Sequence, residues 1–269
     1  MADQAVRLLT GLVNFLGAFA LRLLGAMGSQ LLFTLDGLAR MFVSSRQFGR
    51  TVRQIYIIGA QSLFVIALVG LFTGMVLGLQ GYYSLSQFGA VGFLGSAVSL
   101  SLIRELGPVL AAIMVTARAG SAMAAEIGVM RISDQVDALE VMDIDPVAFL
   151  VSPRLLAALI TFPMLTAIFD LIGIAGGYIA GVNLLDVNSG AYFHRVYSSV
   201  SIGDVAGGFV KAVAFGLIVS AVSCYQGYFA HLRRDGVGPE AVSGATTSAV
   251  VLSCVFVLIA DYVLTSVLL

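Results

Sequence analysis

From Gln54 to Ile103 the chain runs for fifty residues without a formally charged side chain. A soluble domain carries about 25% charged residues, so a gap of this length is not typical of one. The whole chain agrees, because 59% of its 269 residues are hydrophobic and only 11% are charged. A helix crosses the hydrocarbon core of a bilayer with about 20 apolar residues. The sequence therefore predicts an all-α integral membrane protein.

Five apolar segments are long enough to cross a bilayer. We predict these spans at about residues 55–79, 96–122, 155–182, 205–228 and 247–269. Gln80 to Gly95 is rich in Gly, Ser, Gln and Tyr, so we expect a turn between the first two spans. The predicted organisation is an N-terminal helical region over residues 1–53 followed by a five-span domain over residues 54–269.

The N-terminal region is more basic than the rest, since six of the fourteen Lys and Arg residues precede residue 54. At 100° per residue its polar side chains fall on one stripe of a helix. The stripe contains Arg7, Gly11, Asn14, Arg22, Ser29, Asp36 and Arg40. This pattern predicts one or two helices lying in the headgroup plane. An additional span from Ala5 to Met27 is the alternative.

The distribution of arginines predicts the orientation, because cytoplasmic segments retain Lys and Arg near the span ends. With the N-terminus in the cytoplasm, the inner segments carry the N-terminal arginines together with Arg131, Arg154, Arg233 and Arg234. The outer loops carry only Arg195. The C-terminus is then predicted on the outer side.

Ionisable side chains inside predicted spans are costly unless they face a partner or a cavity. We single out Arg104, Glu105, Asp170, Lys211 and Asp261. At about 1.5 Å per residue all five lie in the outer half of the core, so we expect them to pair around an outward-facing polar cavity. Ion pairs that only lock helices together are the alternative, especially for Lys211 with Asp261. Gly107-Pro108 is predicted to break the second span beside the first two charges.

Between the second and third spans, the sequence predicts a short helix over about residues 133–143 that Ser133 caps. Two faces of it differ in character: apolar Ile132, Val136 and Leu139, and acidic Asp134, Asp137 and Glu140. Such a helix suits docking into a groove on a cytoplasmic partner. A solvated connecting helix is the alternative.

Three blocks of the sequence carry a resemblance to a known family. They are GMVLGLQGY (Gly74–Tyr82), SLIRELGPVLAAIMVTARAGSAMAAEIGVMR (Ser101–Arg131) and DQVDALEVMDIDP (Asp134–Pro146). Together they resemble the permease of bacterial Mla-type lipid transporters, the MlaE family. Permeases of mycobacterial Mce systems and of a chloroplast lipid importer are related to it. The likeness covers about residues 50–269 and includes ATTSAVV (Ala245–Val251).

The resemblance implies an inner-membrane permease that moves phospholipid between that membrane and a periplasmic carrier, which maintains outer-membrane lipid asymmetry. The implied partners are a second copy of the chain, an ATP-binding cassette ATPase, a STAS-domain protein and a hexameric MCE-domain protein. ATP and Mg would belong to the ATPase, and this chain would bind no cofactor. The sequence agrees, since it has no G-x-x-x-x-G-K-[ST] motif to surround a phosphate.

The resemblance also implies roles for individual residues. Lipid would lie in a cavity at the dimer interface, against Leu77, Ser84, Leu85, Phe88, Arg104 and Glu105. Leu77 would supply a dry wall and Arg104 a cation for the phosphate, while Glu105 would hold or tune that guanidinium. Lys211 and Asp261 match a charged pair of the family, whereas Asp170 matches no family position.

The short helix between the second and third spans would be the coupling helix of such a permease, pressing into the ATPase. The expected ATPase-coupling residues are Glu126, Arg131, Asp134, Asp137, Leu139 and Glu140.

Two other classes of protein are weighed against a permease subunit. A phospholipid-synthesising enzyme could hold metal through Asp134, Asp137 and Asp143, but the D-x-x-D-G-x-x-A-R pattern of CDP-alcohol transferases is missing. A free-standing secondary transporter normally shows two related halves, which five spans do not provide. Nucleic-acid binding is excluded by a net charge of -1. Cys224 and Cys254 are predicted to be small buried hydrophobes.

Overall fold

The computed structural model describes residues 27–42, 47–232 and 238–268, together with the isolated positions 17, 21, 24 and 25. These residues form helices and no strand. Helix α1 occupies residues 27–39. The following helices are α2 Gln47–Ile58, α3 Leu63–Ser86, α4 Leu94–Ser101, α5 Gly107–Val115, α6 Ser121–Ile132, α7 Gln135–Val141, α8 Ser152–Tyr178, α9 Ser189–Ser199, α10 Ile202–Tyr228 and α11 Pro239–Leu268.

Within the described residues, five helical stretches are long and apolar enough to cross a membrane. They are Phe48–Ser86, Val91–Ile132, Val147–Leu184, Ile202–Tyr228 and Pro239–Leu268. The predicted all-α membrane fold with five spans is therefore confirmed. Helices α4, α5 and α6 follow one another within the second stretch, and short π-helical turns join them.

Two predicted interruptions of the spans differ from the structure. Helix α3 continues to Ser86, seven residues into the segment predicted as a turn, and the turn between the first two spans follows at residues 87–89. The small residues there serve packing instead, since a methyl group at Gly81 would lie 2.8 Å from Leu94 Cδ1. At Gly107-Pro108 the helix is not broken, because the π-helical turn Leu102–Leu106 absorbs one extra residue and the Gly107 N–H bonds to the Leu102 carbonyl.

Glycine residues bring the backbones of α3 and α8 into close contact where the two helices cross. Gly70, Gly74 and Gly78 recur every four residues on the buried side of α3. A methyl group at Gly74 would overlap the backbone of Gly173 on α8, and one at Gly78 would lie 2.9 Å from the carbonyl oxygen of Gly177. Small residues of this kind let two membrane helices bring their backbones together.

Gly74→Ala should lower the stability of the folded chain by about 1–3 kcal/mol, because the added methyl group forces α3 and α8 apart. Gly92→Ala is the matched control, since a methyl group there would have no atom within 4 Å. The measurement is thermal unfolding of the two purified variants in detergent, followed by circular dichroism. Equal melting temperatures would contradict the close crossing.

The end of the bundle that carries α7 is built around a second apolar core, which contains Val136 and Leu155. Helix α1 packs on this end: Ser152 Oγ donates to the Gly37 carbonyl at 2.8 Å, and Arg40 pairs with Asp145. Three members of the predicted polar stripe, Ser29, Asp36 and Arg40, are described. The other four, and nearly all of the alternative span from Ala5 to Met27, lie outside the described residues.

Candidate functional site

Lys211 of α10 is the centre of a charged cluster at the end of the bundle opposite α7. Its side chain is only 3% exposed. The ammonium group donates to Glu105 Oε2 at 2.8 Å, to Thr265 Oγ1 at 2.7 Å and to the Arg104 carbonyl at 2.9 Å. Asp261 Oδ1 lies 3.0 Å away. A buried ammonium is thus matched by two carboxylates and two neutral acceptors, as desolvation requires.

The Arg104 carbonyl is available to Lys211 because of Pro108. In an α-helix this carbonyl would accept a hydrogen bond from the N–H of residue 108, which proline lacks. Lys211 donates to it instead. Gly208, one turn earlier on α10, permits the close approach, since a methyl group there would lie 2.6 Å from the Ile103 carbonyl oxygen.

Arg104 itself pairs with Asp204, a residue that our sequence analysis missed. Arg104 Nε donates to Asp204 Oδ1 at 2.7 Å. Asp204 also belongs to the cap of α10, where its Oδ2 accepts from the Ser201 N–H at 2.9 Å and its own N–H donates to Ser201 Oγ at 3.2 Å. The S-x-x-D pattern before an apolar run was the available signal.

Glu105 does not hold the Arg104 guanidinium, contrary to the first of its two expected roles, and the second role, tuning that charge, stays a prediction. Successive residues of a helix project about 100° apart, so the two neighbouring side chains reach different partners. Glu105 turns toward Lys211 and Thr265, and Asp204 takes the guanidinium.

The Arg104–Asp204 pair and the Lys211–Glu105 pair line one cavity of about 410 Å³, a volume typical of ligand pockets. The side chains of Arg104 and Glu105 are 42% and 38% exposed, whereas Lys211 is buried. Small residues form much of the remaining wall, namely Gly203, Ala206, Gly207 and Gly208. The cavity thus offers one accessible guanidinium beside one accessible carboxylate, both held in place by partners.

Asp170 does not join this cluster, so the prediction that all five charges pair was wrong. Its carboxylate packs against Gly107, and Oδ1 is buried with no hydrogen-bond partner in the described part of the chain. It lines a separate cavity of about 210 Å³ with Ile103 and Gly208. The second span contacts both helices here, since Gly107 lies against the Asp170 carboxylate of α8 and Ile103 lies against Gly208 of α10.

Leu77, Ser84, Leu85 and Phe88 do not line the charged cavity within one copy of the chain. Leu77 and Leu85 are half-buried against the main core, whereas Ser84 is exposed. Phe88 follows the end of α3 and is 82% exposed. These side chains are available to contact something outside the single chain.

At the opposite end, α7 presents the predicted two faces. Val136 and Leu139 are buried, while Asp134, Asp137 and Glu140 are exposed. The predicted cap was wrong, because Asp134 precedes the helix at φ 55° and separates Ser133 from it. Ser133 Oγ instead donates to the Val129 carbonyl of α6 at 2.8 Å.

One ion pair attaches α7 to the second span, and another joins the second and third spans at the same end. Arg131 donates to Asp137 at 2.5 Å and to His231 Nδ1 at 3.1 Å, joining α6 to α7. Arg154 of α8 is 4% exposed and donates to Glu126 of α6 at 2.7 Å. Arg131 also neutralises part of the acidic stripe, whose three carboxylates would otherwise repel one another.

A second missed residue is Arg118, which lies inside the second span. It donates to Gln61 Oε1 at 2.6 Å, to the Ile57 carbonyl at 3.0 Å and to Ser62 Oγ at 3.2 Å. These acceptors lie where the first stretch turns at Gly59 between α2 and α3. The signal was a charge within a predicted apolar span, which itself demands a partner.

Known proteins similar to this chain include membrane permeases. Residues 51–267 match the family model described as Permease MlaE. The chain is 40% identical over 264 residues to the intermembrane phospholipid transport system permease protein MlaE of Haemophilus influenzae, covering 96% of this chain and 98% of that protein. It is 42% identical over 258 residues to a probable ABC transporter permease protein of Rickettsia bellii, with the same coverage.

A chloroplast protein of Arabidopsis thaliana, TRIGALACTOSYLDIACYLGLYCEROL 1, is 33% identical over 216 residues, which are 80% of this chain and 60% of that protein. The fold and these matches together define a multi-pass membrane permease. The chain belongs to the MlaE permease family. The family resemblance drawn from the sequence is confirmed. Membership of this family identifies the chain as a non-catalytic permease subunit and not as a lipid-synthesising enzyme.

Proposed function

We propose that this chain is the membrane-spanning subunit of an ATP-driven phospholipid transporter in the bacterial inner membrane. It exchanges lipid between that membrane and a periplasmic carrier and so helps to maintain outer-membrane lipid asymmetry. The observation that carries the proposal is the cavity in which Arg104, held by Asp204, lies exposed beside Glu105. The printed name of the Haemophilus relative supports the same substrate class.

A phospholipid needs a cation for its phosphate and an apolar surface for its acyl chains. Arg104 presents guanidinium donors that suit a phosphate, and Asp204 fixes their direction. Asp261 and Glu105 neutralise Lys211, so Arg104 is the accessible cation. In a homodimer, the apolar side of the lipid would be covered by Leu77, Ser84, Leu85 and Phe88, as the family resemblance implies.

Helix α7 is proposed as the coupling helix that docks on the ATPase, which binds ATP and Mg. Its exposed acids, Asp134, Asp137 and Glu140, would contact the ATPase. Its buried Leu139 and the two ion pairs of Arg131 and Glu126 would transmit a displacement to the second and third spans.

The α7 end is proposed to be cytoplasmic and the charged cavity periplasmic, with the N-terminus inside and the C-terminus outside. Arg131 and Arg154 lie at the α7 end, as the charge bias of cytoplasmic segments predicts. Arg233 and Arg234 lie outside the described residues. A STAS-domain protein and a hexameric MCE-domain protein are proposed as further partners on the two sides.

Reconstitution into vesicles tests this function. Vesicles containing the chain, its ATPase and a fluorescent phospholipid should transfer lipid to an acceptor only when ATP is hydrolysed, because the chain has no nucleotide site of its own. The chain alone, and the complex with a non-hydrolysable ATP analogue, are the controls. Transfer by the chain alone along a gradient would indicate a secondary transporter, and lipid synthesis from a CDP-linked precursor would indicate an enzyme.

A further inference from the structure

Helix α2 has one apolar face that no other part of the described chain covers. Phe48, Val52 and Tyr56 recur every four residues, so they share a face, and they are 77%, 48% and 60% exposed. On the other side Gln54 and Ile58 are buried. Helix α2 thus packs on the protein along one face and presents apolar side chains outward along another.

The length of the next helix places α2 at a membrane boundary. Helix α3 has 24 residues and is about 36 Å long at 1.5 Å per residue. This exceeds the hydrocarbon thickness of about 30 Å, so α3 can cross the core without α2, which carries Arg50 and Arg53. Helix α2 therefore lies at the headgroup level, at the end of the bundle that carries α7.

An apolar groove of about 390 Å³ lies between α8 on one side and α2 with the start of α3 on the other. Its mouth is open to the outside of the bundle, since Leu63 and Met164 are 42% and 58% exposed. Tyr56 and Thr161 are the two wall residues that carry a hydroxyl group, and Thr161 Oγ1 donates to the Ala157 carbonyl at 2.8 Å. Apart from the Tyr56 hydroxyl, the wall side chains present carbon to an occupant.

Helix α2, which forms one wall of the groove, also carries two arginines. Arg53 is exposed on α2, between the groove residues Val52 and Tyr56. Arg50, one turn earlier, holds its guanidinium 3.6 Å from the ring centre of Phe149. Helix α2 has no acidic residue in its sequence QFGRTVRQIYII. An apolar groove that rises into the membrane from a cationic surface matches an anionic headgroup with an acyl chain.

We infer that this groove is a lipid-binding site for an anionic phospholipid of the leaflet at the α7 end, with an acyl chain along α8 beside the junction of α2 and α3 and the phosphate beside Arg53. The site is distinct from the charged cavity, which lies at the other end of the spans. It holds whether or not the cavity around Arg104 binds transported lipid, because its support comes from α2, α3 and α8 alone.

The chain contains no tryptophan, which provides a direct test. Met164→Trp places a single indole at the groove, and Val255→Trp places one at an exposed position of α11 as the control. The full chain is reconstituted into phosphatidylcholine vesicles containing increasing amounts of phosphatidylglycerol with brominated acyl chains, which quench tryptophan on contact. Brominated phosphatidylcholine measures contact without headgroup preference.

We expect brominated phosphatidylglycerol to quench the groove tryptophan at a mole fraction at least about threefold lower than brominated phosphatidylcholine does. Val255→Trp should show no such preference. Adding Arg53→Gln should remove the preference, and Arg53→Lys should keep it. Equal quenching by the two lipids at Met164→Trp would overturn the inference, as would a preference that survives Arg53→Gln.

A second measurement covers the unaltered groove. In the unsubstituted chain, a phosphatidylglycerol with a photoactivatable acyl chain should label peptides that contain Tyr56 or Met164. In the variant Ala60→Trp, the indole should fill the groove and reduce this labelling several-fold. Absence of labelling in the complete transporter complex, in which a partner's membrane helix could occupy the groove, would also overturn the assignment to lipid.

Discussion

Glu105→Arg is expected to abolish lipid binding while leaving the ATPase attached. In the native chain Glu105 Oε2 lies 2.8 Å from the buried Lys211 ammonium. A cation in its place removes a favourable pair and adds a repulsion, which at about 4 Å and an effective dielectric constant of 20 amounts to roughly 4 kcal/mol. The new guanidinium must therefore turn away from Lys211 into the cavity, where the longer side chain occupies space that the lipid headgroup needs. Lipid that copurifies with the complex should fall at least about tenfold, which corresponds to about 1.4 kcal/mol.

Glu105→Gln is the matched control, because an amide oxygen can still accept from Lys211 and Thr265. It should retain more lipid than Glu105→Arg. Lipid retained at the native level by Glu105→Arg would show that the cavity is not the binding site. Should that variant also lose the ATPase, Arg104→Gln tests the same cavity through a partly exposed side chain, and native lipid content there would count equally against the proposal.

Reversing the acidic stripe of α7 is expected to release the ATPase. The triple variant Asp134→Lys, Asp137→Lys, Glu140→Lys changes the charge of the exposed face by six, from three acids to three bases. It also places a lysine beside Arg131, whose guanidinium now donates to Asp137 at 2.5 Å. Because Val136 and Leu139 stay buried, α7 should remain folded. We expect recovery of the ATPase in a pull-down to fall at least about tenfold.

Two control variants separate the loss of attraction from the added repulsion and from a charge change elsewhere on the chain. The neutral variant Asp134→Asn, Asp137→Asn, Glu140→Gln removes attraction without adding repulsion and should lose less of the ATPase than the reversal does. Asp186→Lys changes charge at an exposed position after the third span and should leave the pull-down unchanged. An undiminished pull-down with the full reversal would mean that α7 does not dock on the ATPase.

Much of the architecture could be predicted from local sequence. The uncharged run after Gln54 and the four later apolar segments predicted five spans, since hydrophobic length alone determines whether a helix can cross a bilayer. The alternation of Val136 and Leu139 with acidic residues predicted the buried and exposed faces of α7. The family motifs predicted membership, which the match over residues 51–267 confirmed.

The sequence by itself determined which segments enter the membrane and which side chains carry charge there. Only the tertiary structure decided the partners of those charges. Arg104 pairs with Asp204, a hundred residues away, and Glu105 pairs with Lys211, while Asp170 stays apart. The physical reason is that a π-helical turn rotates the second span, Pro108 leaves the Arg104 carbonyl free, and glycine contacts determine how closely α10 and α8 approach that span. Rotation and helix separation depend on packing between distant segments, which hydropathy along the chain does not encode.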